Sequence, residues 1–250
     1  MILHEVEVLS RERLGAHRLL RYRWEGEPPG PGQFVMARPE GPAATFDPLL
    51  NRPFFVHDYR DGVLSLLFEV RGRGTALLAR EGAALRVSGP LGRGFTSPPA
   101  GPAVLVGGGV WVAPLKFLAR RLEAEGVAYE IFLEAPDEAP EGYVAGIRRI
   151  FPEAEIVRTG PGDSPGTLLG AAGDLSRCGA VYASGPPGTL RAVREAAGER
   201  VPAQLALRER MACGSGACHG CAVPVRRNGE VAYARACVEG PVFPARELAW

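Results

Sequence analysis

Lysine is almost missing from this 250-residue chain: of 29 basic residues only Lys116 is a lysine, the rest being arginine. With 23 prolines, that bias fits a GC-rich or thermophilic source and is given no functional meaning. An excess of one charge is missing too. The 29 basic and 28 acidic residues leave a formal charge of +1, so no one-signed field recruits nucleic acid or an anionic membrane surface, and neither is expected as a partner. No apolar run approaches the ~18 residues of a membrane span. The opening Met1-Ile2-Leu3-His4-Glu5-Val6-Glu7 alternates apolar with charged residues, unlike a secretory leader, and a cytoplasmic location is expected. Five cysteines, an odd number with four gathered near the C-terminus, suit a reducing compartment better than a disulfide framework. What is present in quantity is core material. At 46% hydrophobic residues the chain can build one large domain, or two small ones with an appendage.

The most informative residues are Cys213, Cys218, Cys221 and Cys237, spaced Cys-x4-Cys-x2-Cys-x15-Cys. The first three reproduce the plant-type 2Fe-2S spacing, and a two-iron cluster needs four thiolates, three from one tight loop and a fourth returning from elsewhere. Gly214, Gly216 and Gly220 leave room for backbone N–H groups to turn toward the sulfurs. A structural zinc site is the competing reading, but zinc usually takes two short Cys-x(2–4)-Cys knuckles, and here the fourth cysteine stands alone. His219 cannot supply the histidine pair of a Rieske centre and is read as a solvent-facing loop residue. Cys178, before Gly179 and an apolar run, is read as a small buried hydrophobe without a role.

Residues 1–97 read as all-β. Runs at Glu5–Leu9, His17–Tyr22, Gln33–Ala37 and Val63–Val70 are separated by Gly/Pro turns and predict a small antiparallel barrel. Thr96-Ser97-Pro98-Pro99-Ala100-Gly101-Pro102 is a stiff connector at the expected boundary. From Ala103 apolar strands alternate with helical segments: Ala103–Val106, a helix from Ala113 to Glu125 capped by Gly126, Tyr129–Leu133, Ala180–Ala183 and a helix from Thr189 to Ala197. That alternation predicts a parallel, doubly wound α/β domain over 98–203. Residues 204–250 are expected to form a small cluster-bearing module.

Gly107-Gly108-Gly109, between a strand and a helix, and Gly185-Pro186-Pro187-Gly188, after a later strand, stand at one edge of such a sheet and suit a dinucleotide. Arg52-Pro53 offers a guanidinium for diphosphate, and Gly72-Arg73-Gly74-Thr75 opens a helix-like segment that suits another phosphate. Each also has a plainer reading: tight strand-to-helix turns, a solvated arginine and an ordinary N-cap.

Taken in order, these segments resemble the electron-transfer subunit of the two-subunit, NAD-linked dihydroorotate dehydrogenase, within the ferredoxin-reductase superfamily. The resemblance runs through Arg52-Pro53, Gly72-Arg73-Gly74-Thr75, Gly89-Pro90-Leu91-Gly92-Arg93-Gly94-Phe95, the triple glycine with Ala113-Pro114-Leu115, and Gly185-Pro186-Pro187-Gly188. It ends with Glu209-Arg210-Met211-Ala212-Cys213-Gly214 and Cys237-Val238-Glu239-Gly240-Pro241-Val242-Phe243.

The resemblance implies an oxidoreductase subunit with a ferredoxin-reductase-like FAD barrel, an NAD-binding α/β domain and a C-terminal 2Fe-2S module. It implies FAD at Arg52, Pro53, Phe54, Phe55, Leu67, Phe68, Glu69, Gly74 and Thr75. NAD is implied at Gly107, Gly108, Gly109, Gly185 and Pro186, and the cluster at Cys213, Cys218, Cys221 and Cys237. The implied partner is a flavin-containing, dihydroorotate-oxidising subunit of pyrimidine biosynthesis, two copies of each chain assembling together. No residue here is a credible base for dihydroorotate, so no catalytic residue is assigned. Several positions depart from the family pattern: Phe55 stands where a serine is usual, Glu69 where an arginine follows the aromatic residue, Ser184 and Thr189 where Cys and Met are usual, and Trp111 where the glycine turn has its last glycine. Such an indole either intrudes on ligand space or packs onto the following helix. Two competing readings share parts of the pattern: an iron-sulfur flavoprotein subunit of a hydrogenase or NADH:ferredoxin transhydrogenase, and a zinc-stapled, non-enzymatic binding module.

Overall fold

The computed structural model describes residues 3–40, 49–80, 82, 84–97, 101–140, 142–160, 163 and 166–250. Met1 and Ile2 of the opening alternation, and Pro98, Pro99 and Ala100 of the connector, lie outside them.

Seven strands form the first sheet: β1 (His4–Val6), β2 (Val8–Leu14), β3 (His17–Arg23), β4 (Phe34–Glu40), β5 (Arg52–Arg60), β6 (Val63–Glu69) and β7 (Ala84–Leu91). Their order is β1-β7-β4-β5-β6-β3-β2, each neighbouring pair antiparallel. The two ends of that order, β1 and β2, are joined by the single residue Glu7, so the sheet must curl round on itself as a barrel. Alternate residues fill its interior, Leu85 and Val87 meeting Leu20, Leu64 and Leu66, all nearly or fully buried. The expected strand Glu5–Leu9 is therefore two strands, broken at Glu7 where the chain passes from one end of the sheet to the other. The sequence reading also missed β5 and β7. Arg52-Pro53 looks like a turn, yet Pro53 sits second in β5 opposite Met36, near the strand end where a missing N–H is tolerated.

The second sheet runs β10-β9-β8-β11-β12-β15, from β8 (Ala103–Gly108), β9 (Tyr129–Pro136), β10 (Glu155–Thr159), β11 (Ala180–Ser184), β12 (Ala203–Ala206) and β15 (Val242–Pro244). The first five are parallel and β15 is antiparallel. From β8 the chain winds one way to β10, then crosses to β11 on the other side of β8; the crevice opens at that switch point. Strand β8 is buried on both faces. Leu105 packs with Leu115, Leu118 and Ile147 from α2 (Ala113–Ala124) and α3 (Tyr143–Ile150), while Val104 and Val106 pack with Leu168, Leu190 and Val193 from α4 (Gly166–Ala172) and α5 (Pro187–Ala197). The sequence reading missed α3, β10, α4 and β12. In α3 the helix former is interrupted by Gly146, which lies where a Cβ would strike the Leu14 carbonyl, so it is there to let the helix approach β2.

The final segment carries the four clustered cysteines and a hairpin, β13 (Ala222–Arg227) and β14 (Glu230–Arg235). Its turn is Asn228-Gly229, both at positive φ (53° and 84°), a pair suited to a tight hairpin turn. The chain then returns to the second sheet at β15 beside β12, and β12 itself straddles residues 203 and 204. Barrel and second sheet are tied by the buried His57 of β5, whose Nδ1 lies 3.1 Å from the Ala113 carbonyl, and by the ion pair of Asp58 with Arg120.

Candidate cofactor site

Where barrel, second sheet and final segment meet, a cleft opens to solvent. Pro53, Phe54 and Phe55 of β5, Leu67, Phe68 and Glu69 of β6, and Thr75 line it. The walls are aromatic: the Phe54 and Phe68 rings stand 5.6 Å apart, centre to centre. Arg52 and Gly74 are beside the cleft rather than in its lining. Helix α1 (Arg73–Leu78) begins there, and the Arg52 guanidinium lies against the Gly74 Cα, in space that any side chain at 74 would need. The Thr75 hydroxyl turns back on its own helix start, accepting from the Arg71 and Gly72 N–H groups at 2.9 and 3.2 Å.

The sequence reading did not place Arg71, Val110, Leu207, Arg208, Glu209, Met211 or Pro241 at this cleft, yet all line it. Glu69 is held by Arg71 at 2.7 Å, and His17 Nε2 lies 3.5 Å away, at the outer limit of hydrogen bonding. The His17 and Arg71 contacts keep the Glu69 carboxyl down at about 2, although burial opposes them. Burial raises the Glu209 carboxyl. Trp111 also lines the cleft, and the Arg208 guanidinium lies over its ring, 5.1 Å from the centroid. The indole thus lines the cleft, from a short 3₁₀ helix, Gly109–Val112, that opens with Gly109 at φ 55°.

The two glycine turns come side by side, Gly107 pairing with Ser184 across β8 and β11, so Gly107, Gly108 and Gly109 neighbour Gly185 and Pro186 at the switch point. Local packing already demands Gly107. A Cβ there would stand 2.9 Å from the Ser184 carbonyl oxygen and 2.8 Å from Leu115.

Met211 in the cleft wall leads, two residues on, into the thiol loop. Its sulfurs fall into two pairs. The Cys213 sulfur accepts from the Cys218 and Ser215 N–H groups at 3.5 and 3.4 Å, which pull its thiol down to about 5. The Cys221 sulfur accepts from the Cys237 N–H at 3.4 Å, and burial together with the Cys221 thiol pushes Cys237 up to about 12. Gly220 donates to the Cys218 sulfur at 3.5 Å. Gly214, at φ 68°, packs where a Cβ would meet Met36 of β4. Among the described residues no three His, Cys, Asp or Glu side chains converge as one metal ion requires. His219 is exposed, as expected, whereas Cys178 is only partly buried because it ends a short 3₁₀ turn at the surface. Among the described residues no helix is long and apolar enough to cross a membrane.

Residues 208–249 match the family described as the iron-sulfur cluster binding domain of dihydroorotate dehydrogenase B. The chain is 35% identical over 255 residues to the dihydroorotate dehydrogenase B (NAD(+)) electron transfer subunit of Caldanaerobacter subterraneus subsp. tengcongensis, with 98% of this chain and 97% of that one covered. It is 38% identical over 264 residues to the subunit of the same name from Geobacillus kaustophilus, covering 99% of both. Among solved structures, an NADH-dependent reduced ferredoxin-NADP oxidoreductase described for flavin-based electron bifurcation aligns with TM-score 0.77 at 25% identity, over 98% of this chain and 90% of that one. A ferredoxin reductase of carbazole 1,9a-dioxygenase shares the fold, with TM-score 0.63 at 21% identity over 80% of this chain and 67% of that one. The chain belongs to the family of dihydroorotate dehydrogenase B (NAD(+)) electron transfer subunits.

Proposed function

We propose that this chain receives electrons from a dihydroorotate-oxidising, FMN-containing catalytic subunit and delivers them to NAD, holding a 2Fe-2S cluster and FAD for the purpose. Cys213, Cys218, Cys221 and Cys237 would hold the cluster. Phe54, Phe55, Leu67 and Phe68 enclose the flavin ring, Pro53, Glu69 and Thr75 border it, and Arg52 packed on Gly74 meets the diphosphate. Gly107, Gly108, Gly109, Gly185 and Pro186 offer NAD its pyrophosphate seat. A flavin takes electrons singly and gives them in pairs, which is what joins a one-electron cluster to a two-electron nicotinamide.

The observation that carries this reading is the meeting of three elements at one cleft: Phe54 and Phe68 of the barrel, Trp111 of the glycine turn, and Met211 two residues before Cys213. The chain's residues exclude water around a planar ring and keep it next to the thiol loop. Among the described cleft residues the carboxyls are Glu69, tied up by Arg71, and Glu209, whose burial favours the proton, so neither serves as a base and dihydroorotate chemistry is assigned to the partner. Two copies of each subunit make the complex, which works in the cytoplasm. A hydrogenase or transhydrogenase role is favoured by the alignment with the ferredoxin-NADP oxidoreductase, but the higher identities fall to the dihydroorotate dehydrogenase subunits. The test is affinity purification from the source cell. Recovery of a flavin-containing partner and dihydroorotate-dependent NAD reduction by the mixture is expected; turnover of dihydroorotate by this chain alone, or a hydrogenase partner, contradicts the reading.

A further inference from the structure

The charges lining the cleft are unequally held. Glu69 is ionised and neutralised by Arg71 at 2.7 Å, with His17 behind it. Glu209 lies in the wall, where burial favours its uncharged form. Arg208 has no carboxylate within ion-pair distance among the described residues; what holds its guanidinium is the indole of Trp111, 5.1 Å away. Much of the Arg208 side chain remains exposed, but its guanidinium is partly desolvated where it covers the indole. The cleft therefore contains a cation laid on the Trp111 ring, in the same lining as Phe54 and Phe68, and the nearby anion Glu69 is already paired with Arg71.

A planar ring that becomes negative on reduction complements that arrangement. Uptake of two electrons and one proton leaves a reduced flavin with one negative charge, and a cation placed beside the ring stabilises that form over the neutral oxidised one. We propose that Arg208, held against Trp111, contacts the flavin ring, binds its reduced form more tightly than its oxidised form, and thereby raises the flavin's potential. The position is consequential because Arg208 begins the cluster-binding segment, five residues before Cys213, while Trp111 belongs to the glycine turn. One contact then joins the cluster segment and the nucleotide-binding half across the flavin. Arginine suits this role better than lysine would in a flexible site, since its planar cation stacks on the indole and is fixed by it.

The inference rests on the FAD reading above, and the test separates the two. The full chain is loaded anaerobically with cluster and FAD; the Kd of oxidised FAD and the midpoint potential of bound FAD are measured in the wild type and in Arg208→Gln, with the cluster potential as internal reference. The expected result is an oxidised-FAD affinity changed less than about threefold and a reduced-FAD affinity lowered about tenfold or more, which for a two-electron couple is a shift of about 30 mV to more negative potential. Arg208→Lys, which keeps the charge, should recover at least about half of that shift. An unmoved flavin potential in Arg208→Gln, or equal weakening of both redox forms as a phosphate contact or a structural role produces, overturns the inference. Should Arg208→Gln fail to retain FAD, Trp111→Leu decides: it frees the guanidinium, so a shift in the same direction supports the proposal and none overturns it. A wild-type chain that takes up no FAD overturns the FAD site itself.

Discussion

The Arg52 guanidinium occupies the space beside the Gly74 Cα that a side chain at 74 would fill. Strand β5 brings the arginine to the start of α1, so one cation and one bare backbone segment face the same volume next to the aromatic cleft. Neither residue can be changed without disturbing the other.

Gly74→Val should therefore act like Arg52→Ala. The added methyls displace the guanidinium, removing a charge-assisted phosphate contact that contributes about 1.5–3 kcal/mol, so FAD retention should fall at least about tenfold in both variants. Equilibrium dialysis of FAD against the two variants checks this. Wild-type affinity in Gly74→Val would show that the arginine does not need that space.

Trp111 covers part of the cleft from the side of the glycine turn. Trp111→Gly should open it, so that NADH reduces bound FAD about tenfold faster while FAD itself dissociates more readily. Stopped-flow absorbance at the flavin band measures both. Rapid reduction of the unmodified chain with no gain in the glycine variant would mean that the indole leaves the nicotinamide's path clear.

His57 gives the fold a pH dependence of its own. Burial, the largest cause, lowers its imidazole from 6.5 to about 4, outweighing the Ala113 hydrogen bond and the nearby Asp58 that favour the proton. The neutral ring is the folded form. Its contribution is complete above pH 6.5 and is lost as the pH falls from there through about 4, amounting to about 3 kcal/mol. His57→Gln, which can still donate to the Ala113 carbonyl, should flatten the acid side of a Tm-against-pH curve within that window. Parallel curves for variant and wild type would contradict this.

What the sequence revealed and what it hid differ by range of interaction. The cysteine spacing could be read directly because cluster geometry constrains neighbours in the chain, and the thiol loop folds with the Cys218 and Cys237 N–H groups turned to the Cys213 and Cys221 sulfurs. The parallel sheet was legible from Ala103–Val106 and Ala180–Ala183, whose apolar runs reflect burial on both faces. Strand β5 was not, since Pro53 suppresses a strand signal that pairing with β4 restores. Arg208 was invisible as a site residue. An arginine among 29 basic residues carries no local mark, and its placement depends on Trp111, 97 residues away. The direction of Trp111 was equally hidden, since its neighbours in the cleft, Arg208 among them, are distant in the chain.

Anaerobic titration of the purified, reconstituted chain with NADH, followed by flavin and iron-sulfur absorbance, tests the central claim most directly. The account predicts uptake of about three electrons per chain, two bleaching FAD and one bleaching the cluster, with Cys218→Ser retaining the flavin change and losing the other. A colourless chain carrying stoichiometric zinc, or an intact cluster spectrum in Cys218→Ser, would contradict it.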